Sequence, residues 1–327
     1  SGLRRGRYRY RYGYERRQAQ GKSAGRFCER FDRAIAFHRM GSIGKRDEML
    51  TIDAQVHTYE RDHPGRPWVD VLAGPPEVTG DDMVSAMDAV GVDAAILVSA
   101  WTMYRYDPSY AISVRAAYPD RFALVKPVDP ADPAVAETIA DWSKTEGAVG
   151  VRIMLTQTAP DDPDDPGANR VFAAAGRYGL PVNLSCRGRL AQVAALAAKN
   201  EETRIVVDHL GLFQPRVPPA PPEPFADLPS LLALAAYENV AVKVSGACTM
   251  SRAPFPYDDL WDPLGRVFDA FGFDRCMWGT DWTRAINVVS YQQGVEPFRL
   301  TDRLAEAERE QLMGGTLQKI YGWKPGQ

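Results

Sequence analysis

Apolar runs and stretches with helical spacing alternate along the chain from residue 50 to the C-terminus. The apolar runs are continuous, which is typical of parallel strands that are buried on both faces. They cover residues 50–58, 94–99, 122–128, 149–155, 181–186, 205–209, 240–245 and 276–281. Apolar residues recur at three- and four-residue intervals in the stretches that follow them, which predicts helices over 81–90, 108–118, 133–144, 167–178, 190–198, 228–237, 260–271 and 302–321.

Eight β-then-α units predict an α/β fold, a closed (β/α)₈ TIM barrel of eight parallel strands. An open doubly wound sheet is the alternative, but no glycine-rich fingerprint follows any of the predicted strands. In a (β/α)₈ barrel the chemistry lies at the C-terminal ends of the strands. The residues that close each strand are therefore the candidates for function.

Composition places the chain among ordinary globular proteins. Of its 327 residues, 45% are hydrophobic and 25% are charged. The four cysteines, at positions 28, 186, 248 and 276, show no C-x-x-C spacing, which argues against a disulfide framework and favours a reducing, cytoplasmic location. No run of 18 apolar residues and no signal-peptide pattern is present, so we expect neither a membrane span nor secretion.

Charge divides the chain in two. Residues 1–48 carry 14 basic and 5 acidic residues, whereas residues 49–327 carry 25 basic and 37 acidic residues, a net charge of −12. We expect 1–48 to be a disordered basic extension, or sequence translated upstream of the true start, and 49–327 to be the barrel. The alternating arginines and tyrosines at 7–12 are typical of a segment that binds nucleic acid. The net negative charge of residues 49–327, however, disfavours binding to nucleic acid or to an anionic membrane.

Ionisable side chains cluster at three strand ends. The chain has four histidines, and two of them, His57 and His209, close predicted strands one and six. Asp281 closes predicted strand eight. Residue alternation along a strand puts Asp53, Gln55 and His57 on one face of strand one. Two histidines and an aspartate from three strands at one end of a barrel favour a functional site over structural roles.

These segments resemble the amidohydrolase-2 (amidohydrolase-related) family of the amidohydrolase superfamily. The resemblance rests on Asp-x-x-x-His at 53–57, Val-Asp-His-Leu-Gly at 207–211, Trp-Gly-Thr-Asp-Trp at 278–282, Gly-Val-Arg in strand four and the closing Thr-Leu-Gln-Lys-Ile-Tyr-Gly at 316–322. It runs from about residue 50 to residue 323. Within the family, the sugar lactonases and the lactonase of 2-pyrone-4,6-dicarboxylate are the subgroup most similar to this sequence. The resemblance implies a hydrolase with a (β/α)₈ fold, although the family also contains decarboxylases and hydratases.

The sequence departs from the superfamily at the metal site. That site uses His-x-His on strand one, a histidine on strand five and the strand-eight aspartate. Here Gln55 replaces the first histidine, and strand five ends Asn-Leu-Ser-Cys at 183–186. We therefore expect no metal cofactor, as in the lactonase subgroup. The alternative is a single Zn²⁺ or Mn²⁺ held by His57, His209 and Asp281, with Cys186 as a substitute ligand.

Without a metal, a general base must activate water and hydrogen-bond donors must polarise the carbonyl. We assign Asp281 as the base, because it is the strand-end carboxylate in the right place. His209 and His57 are assigned as donors to the carbonyl and Gln55 as a neutral donor beside them. Asp208, on the opposite strand face from His209, is expected to be structural.

Several further residues are candidate substrate contacts. Arg152 on strand four could bind a substrate carboxylate or pair internally with a barrel aspartate. Loop positions at the same end complete the predicted set: Ser99, Tyr104, Arg187 and Trp282. Arginines near the mouth of an acidic body favour a small anionic substrate such as a carboxylated lactone.

The favoured function is therefore a hydrolase that opens a lactone or related cyclic ester. Two alternatives stay open. One is a metal-dependent decarboxylase or hydratase of an aromatic or unsaturated acid, and the other is a non-catalytic barrel that binds a small acid. A homodimer is compatible with the sequence, which carries no signal for the oligomeric state.

Overall fold

The computed structural model describes residues 49–72 and 74–326, and it contains eight parallel strands in the order β1 to β8. Each strand pairs in parallel with the next along the chain. The predicted (β/α)₈ barrel is confirmed, and the open sheet is excluded as an alternative. The strands are β1 Ile52–Val56, β2 Ala94–Val98, β3 Phe122–Pro127, β4 Ala148–Ile153, β5 Val182–Leu184, β6 Ile205–Val207, β7 Val240–Ser245 and β8 Cys276–Gly279.

Helices surround the barrel in the order that the spacing predicts. The α-helices are Gly80–Ala89, Trp101–Tyr104, Ser109–Ala117, Val135–Trp142, Leu155–Thr158, Pro166–Arg177, Leu190–Lys199, Leu228–Ala233, Trp261–Phe271, Trp282–Ala285, Tyr291–Arg299, Glu306–Glu310 and Thr316–Tyr321. The sequence did not predict Trp101–Tyr104, Leu155–Thr158, Trp282–Ala285 or Tyr291–Arg299. The single helix predicted over 302–321 is wrong in detail, because the π turn Gln311–Gly315 interrupts it.

Local chemistry explains where the first of these helices begins. The Thr79 side chain accepts a hydrogen bond from the Asp82 backbone, and the Asp82 carboxylate accepts one from the Thr79 backbone at 2.9 Å. This reciprocal cap satisfies two amides that the helix itself leaves without partners. It fixes the start of helix Gly80–Ala89, whose apolar face packs on the barrel.

Where β8 meets β1, the buried carboxylate of Asp53 links the two strands. Asp53 accepts hydrogen bonds from the backbone amides of Thr280 and Gln55, both at 2.9 Å, and from the Tyr291 hydroxyl at 3.1 Å. The pairing of β1 shifts register between Asp53 and Val56. The prediction that Asp53 shares a face with Gln55 is therefore wrong, because a bulge turns Asp53 toward an outer helix while Gln55 contacts Lys243 inside the barrel.

An apolar cluster links the strands of the barrel to the C-terminal segment. Side chains from the C-terminal segment, including Leu317 and Tyr321, pack against the apolar residues of the strands. These strand residues are Ile52, Ala54, Ala94, Ile96, Val98, Ala123, Val125, Val149, Val206, Ala241 and Met277.

Residues 1–48, for which the sequence predicts a basic extension, lie outside the described residues. Within 49–72 and 74–326, no helix combines the length and the apolar character needed to cross a membrane.

Candidate active site

A cavity of about 180 Å³ lies at the C-terminal ends of the strands. Its wall contains His57, His209 and Asp281, the three ionisable residues predicted from the strand ends. The other side chains of the wall are Leu72, Ala100, Trp101, Thr102, Met103, Arg152, Met154, Thr156, Gln157, Ser185, Arg187, Leu212, Gln214, Arg216 and Arg284. Residues from most of the βα loops therefore converge on one small site.

His57 is oriented by the neighbouring strand. Its Nδ1 lies 2.7 Å from the carbonyl oxygen of Val98. A carbonyl only accepts, so Nδ1 carries the proton and Nε2 of this tautomer is an acceptor. Nε2 lies 3.2 Å from Asp281 Oδ1 and 3.3 Å from the Gln55 amide nitrogen. The sequence predicts that His57 donates to the carbonyl of the substrate. In this tautomer, however, the Nε2 atom that faces Asp281 and Gln55 is an acceptor.

Asp281 is fully buried at the end of β8. Burial acts to raise the pKa of its carboxyl, but the Arg284 guanidinium and the two neighbouring histidines outweigh it and hold the pKa well below the usual range. Arg284 Nε donates to Oδ2. Oδ1 is buried and has no aligned hydrogen-bond donor. At neutral pH the site thus holds a carboxylate with one oxygen engaged and the other facing His57.

His209 is neutral in this environment. Burial lowers the pKa of its imidazole to about 4, despite the opposing effect of Asp281 and Asp208. Its Nδ1 lies 2.8 Å from the Ser245 hydroxyl oxygen, and its Nε2 lies 3.7 Å from Asp281 Oδ2. Because a hydroxyl can donate to Nδ1, the ring can present an Nε2–H group toward the cavity.

The prediction that His209 closes strand six is wrong in detail. Strand β6 ends at Val207, and a 3₁₀ turn, Asp208–Gly211, follows it. His209 and Leu210 adopt left-handed backbone conformations, with φ of 55° and 61°, as does Asp281 with φ of 49°. Each such residue costs roughly 1–3 kcal/mol, and such strain persists where the surrounding structure enforces it, often at functional sites.

A buried network of charges lies beneath the cavity. Arg152 Nε donates to Asp208 Oδ2 at 2.8 Å, and Lys243 Nζ lies 3.1 Å from Asp208 Oδ1. Lys243 Nζ also donates to Gln55 Oε1 at 2.9 Å. Burial would raise the pKa of Asp208, but Lys243 and Arg152 more than compensate and lower it. Two cations thus share one carboxylate, and Lys243 fixes the Gln55 amide with its nitrogen toward His57.

The network bears on two predictions. Asp208 makes internal contacts only, which agrees with the structural role expected for it, although it lies inside the barrel on the same side as Arg152. Arg152 forms the internal pair that was one of its two predicted roles, and it also reaches the cavity, with Nη2 lying 3.5 Å from His209 Nε2. Gln55 is completely buried beneath His57 rather than in the cavity wall.

Of the predicted loop contacts, Arg187 lines the cavity and three others do not. The Ser99 hydroxyl donates to the Asp107 carbonyl at 3.0 Å. The Tyr104 hydroxyl accepts from a backbone amide of the loop after β1, at 3.0 Å. The Trp282 ring lies 5.3 Å from the ring of Tyr291. These three residues shape the loops around the site.

Sequence reasoning missed three cationic residues of the site: Lys243, Arg216 and Arg284. Lys243 carries a detectable signal, since it interrupts an otherwise apolar strand and a buried lysine needs a partner. Arg284 lies three residues after Asp281, but its pairing depends on the turn that follows β8. Arg216 lies in a proline-rich loop, where periodicity gives no information.

The residues present do not fit a divalent metal ion. Among residues 49–72 and 74–326, no three His, Cys, Asp or Glu side chains are grouped so that they could hold one. Arg284 occupies one oxygen of Asp281, and the Gln55 oxygen is taken by Lys243. Cys186 is buried and does not line the cavity, so it is not placed to act as a substitute ligand.

Comparisons with known proteins identify related chains. A family model described as "Amidohydrolase" matches residues 52–323. An L-fucono-1,5-lactonase from Burkholderia multivorans is 27% identical over 83% of this chain and 96% of its own length. A 4-sulfomuconolactone hydrolase from Hydrogenophaga intermedia is 26% identical over 64% of this chain and 66% of its own. Among solved structures, an amidohydrolase from Burkholderia multivorans with bound zinc is 26% identical, with a TM-score of 0.71, over 84% of this chain and 99% of its own.

Proposed function

We infer that this chain, which belongs to the amidohydrolase family, is a hydrolase that opens the lactone ring of a small carboxylated substrate. Two relatives whose names describe lactone hydrolysis support the reaction class. The cationic cavity supports an anionic substrate, because its wall holds four arginines and a single carboxylate. We further propose that the reaction proceeds without a metal ion, since Gln55 stands where the superfamily has a metal-binding histidine, Lys243 holds its oxygen, and Arg284 holds one oxygen of Asp281.

The main observation that supports the proposal is the ionisation of Asp281 together with its hydrogen bonds. Its carboxylate is ionised, completely buried and held at Oδ2 by Arg284, while Oδ1 has no aligned donor. A buried carboxylate oxygen without a partner is costly, and it persists where a ligand supplies the missing hydrogen bond. A water molecule bound to Oδ1 would supply that bond and would be positioned for attack.

The proposed reaction is a general-base hydrolysis. Asp281 Oδ1 accepts a proton from water while the water oxygen forms a bond to the lactone carbonyl carbon. The carbon–oxygen bond of the ring then breaks, and the proton held by Asp281 passes to the departing ring oxygen. The products are one hydroxyl and one carboxylic acid on the same molecule; the acid releases the second proton of the water to solvent and becomes a carboxylate, and Asp281 returns to its ionised state.

Charge on the carbonyl oxygen is stabilised by two neighbouring groups. His209, neutral and held at Nδ1 by Ser245, presents Nε2–H toward the developing oxyanion. Arg152 Nη2 lies 3.5 Å from His209 Nε2, and because this tautomer of His209 carries its hydrogen there, the guanidinium donates to the oxyanion and not to the ring. Preorganised donors of this kind typically contribute about 100- to 1,000-fold to kcat. In this proposal His57 Nε2 accepts a hydrogen bond from the Gln55 amide nitrogen, which leaves Oδ1 of Asp281 available to water.

Replacement of the base tests the proposal. Asp281→Asn keeps the shape of the side chain and removes the proton acceptor, so we expect kcat on a carboxylated lactone to fall by at least about 1,000-fold. The matched control is Asp269→Asn, at an exposed position on helix Trp261–Phe271, which should retain full activity. Melting curves verify that both variants fold. An Asp281→Asn variant that folds and turns over at the wild-type rate would refute the assignment of the base.

A further inference from the structure

Gln214 lies in the loop that follows β6, and its side chain joins two parts of the candidate active site. The residue is buried in the wall of the cavity. Its Nε2 donates to the carbonyl oxygen of Ser245 at 2.8 Å, at the end of β7. Its Oε1 accepts from Arg284 Nη2 at 2.7 Å. One amide group therefore links the last residue of a barrel strand to the guanidinium beside the proposed base.

The amide of Gln214 makes both contacts in one orientation only. A carbonyl oxygen accepts and a guanidinium nitrogen donates, so the amide nitrogen must face Ser245 and the amide oxygen must face Arg284. Nε2 also lies 3.4 Å from the carbonyl oxygen of His209, which gives its second hydrogen an acceptor. The backbone around the amide thus fixes the direction in which Oε1 points.

Arg284 is held by Gln214 at two of its three guanidinium nitrogens. Nη2 donates to the side-chain oxygen of Gln214, and Nη1 donates to its backbone oxygen at 3.4 Å. The third nitrogen, Nε, donates to Asp281 Oδ2. An arginine side chain has many rotamers and loses much freedom when it is fixed, so one carboxylate oxygen alone is a weak restraint. The two contacts with Gln214 set the plane of the guanidinium while Nε faces the base.

Gly246 provides the space in which the amide and the guanidinium meet. Its φ of 69° lies in the left-handed region that glycine adopts most readily. A Cβ atom at this position would overlap Gln214 Oε1 and would lie 3.1 Å from Arg284 Nη2. A side chain after Ser245 would therefore push the two groups out of place.

We propose that Gln214 is a positioning residue for the hydrolysis, which keeps the Arg284 guanidinium on Asp281 Oδ2 and so leaves Oδ1 as the oxygen that receives the proton of water. This inference rests on the proposed lactonase function and adds to it a residue that acts through Arg284. Without Gln214 the guanidinium is free to turn away from Oδ2. The carboxylate then loses its fixed orientation, and neither oxygen is held in line with the attacking water.

Replacement of Gln214 in two backgrounds tests the proposal. Gln214→Met keeps the length of the side chain and removes both polar atoms, so we expect kcat on a carboxylated lactone to fall by about 30-fold and KM to stay within about threefold, as for a misplaced catalytic group. In Arg284→Met, which lacks the guanidinium, the same replacement should lower kcat by less than about twofold. The matched control is Gln292→Met, at an exposed position on helix Tyr291–Arg299, which should retain full activity.

Three results would overturn the inference. The first is an unchanged kcat in Gln214→Met. The second is a higher KM with the wild-type kcat, which would make Gln214 a substrate contact. The third is the same fall in kcat with and without Arg284, which would indicate a general role in the loop. If melting curves show that Gln214→Met does not fold, Gln214→Asn carries the same expectations, because its side chain is one methylene too short to reach both partners.

A wild-type protein that hydrolyses no lactone would refute the proposed function, and stability then decides the positioning role separately. The measurement is the coupling between Arg284 and Asp281 in urea unfolding, obtained from Arg284→Met, Asp281→Asn and the double variant. The set is measured with Gln214 and again with Gln214→Met. We expect the coupling to shrink to about half or less when Gln214 is replaced, because the guanidinium is then held less firmly. Equal coupling in the two sets would overturn the inference.

Discussion

Lys243 is the residue whose replacement tests most clearly how the site is supported. Its ammonium group is completely buried and touches Asp208 Oδ1 at 3.1 Å and Gln55 Oε1 at 2.9 Å. Lys243→Met keeps the length of the side chain and removes the charge and its donors. The change leaves Asp208 with one cation, Arg152, and leaves the Gln55 oxygen without a donor.

The expected loss of stability follows from those two contacts. Removing one partner of a buried ion pair costs about 3–5 kcal/mol, and an unsatisfied buried oxygen costs about 1–3 kcal/mol. Arg152 still balances Asp208, and the methionine regains apolar contacts, so we expect about 3 kcal/mol. For a barrel of this length, unfolding entropy makes that a decrease of about 5 °C in Tm.

The assay is thermal and urea unfolding of the full chain, followed by tryptophan fluorescence and circular dichroism. Lys319→Met, which removes an exposed lysine from helix Thr316–Tyr321, is the control and should melt within about 1 °C of the wild type. In the double variant with Gln55→Met, the second substitution should cost less than it does alone, because its partner is already absent. A Lys243→Met protein with the wild-type Tm, or strict additivity in the double variant, would refute this account of the network.

Two further variants test the electrostatics of the site and of the barrel seam. In Arg284→Gln the Asp281 carboxyl loses the cation that most lowers its pKa, so the acidic limb of the kcat profile should move to higher pH; a limb that stays in place in pH–rate measurements would show that Arg284 does not control this group. Burial raises the pKa of Asp53 to about 6, so its stabilising contribution is complete below its ordinary value near 3.8 and is lost as pH rises through 6. The Tm difference between wild type and Asp53→Asn should therefore be larger at pH 4.5 than at pH 7, and a difference that grows toward pH 7 would contradict the burial argument.

The sequence was sufficient for the barrel because eight apolar runs and eight helical stretches alternate without interruption. The sequence was a less reliable guide to which face of a strand a side chain occupies and to where a strand ends. A register shift in β1 separates Asp53 from Gln55, and β6 ends before His209 instead of after it. Bulges and left-handed turns depend on contacts with distant strands, such as the hydrogen bonds from Thr280 to Asp53, so a local pattern does not reveal them.

Strand-end positions also predicted which ionisable side chains meet at the candidate site. His57, His209 and Asp281 come together at the C-terminal end of the barrel. The cations that set their charge were not predicted, because each acts through a partner that is distant in the sequence. Lys243 meets Gln55 from the opposite part of the chain, and the orientation of Arg284 depends on Gln214, whose side-chain oxygen accepts from it at 2.7 Å.

Catalysis by Asp281 without a metal ion is the central claim, and one measurement tests it most directly. Turnover of a carboxylated lactone is measured on protein expressed with Zn, Mn or Fe supplements, and the metal content of each sample is determined by elemental analysis. The account predicts the same kcat in every sample, far less than one metal ion per chain, and no effect of a chelator. Activity that rises in proportion to bound metal, is lost on chelation and returns with Zn²⁺ or Mn²⁺ would contradict it.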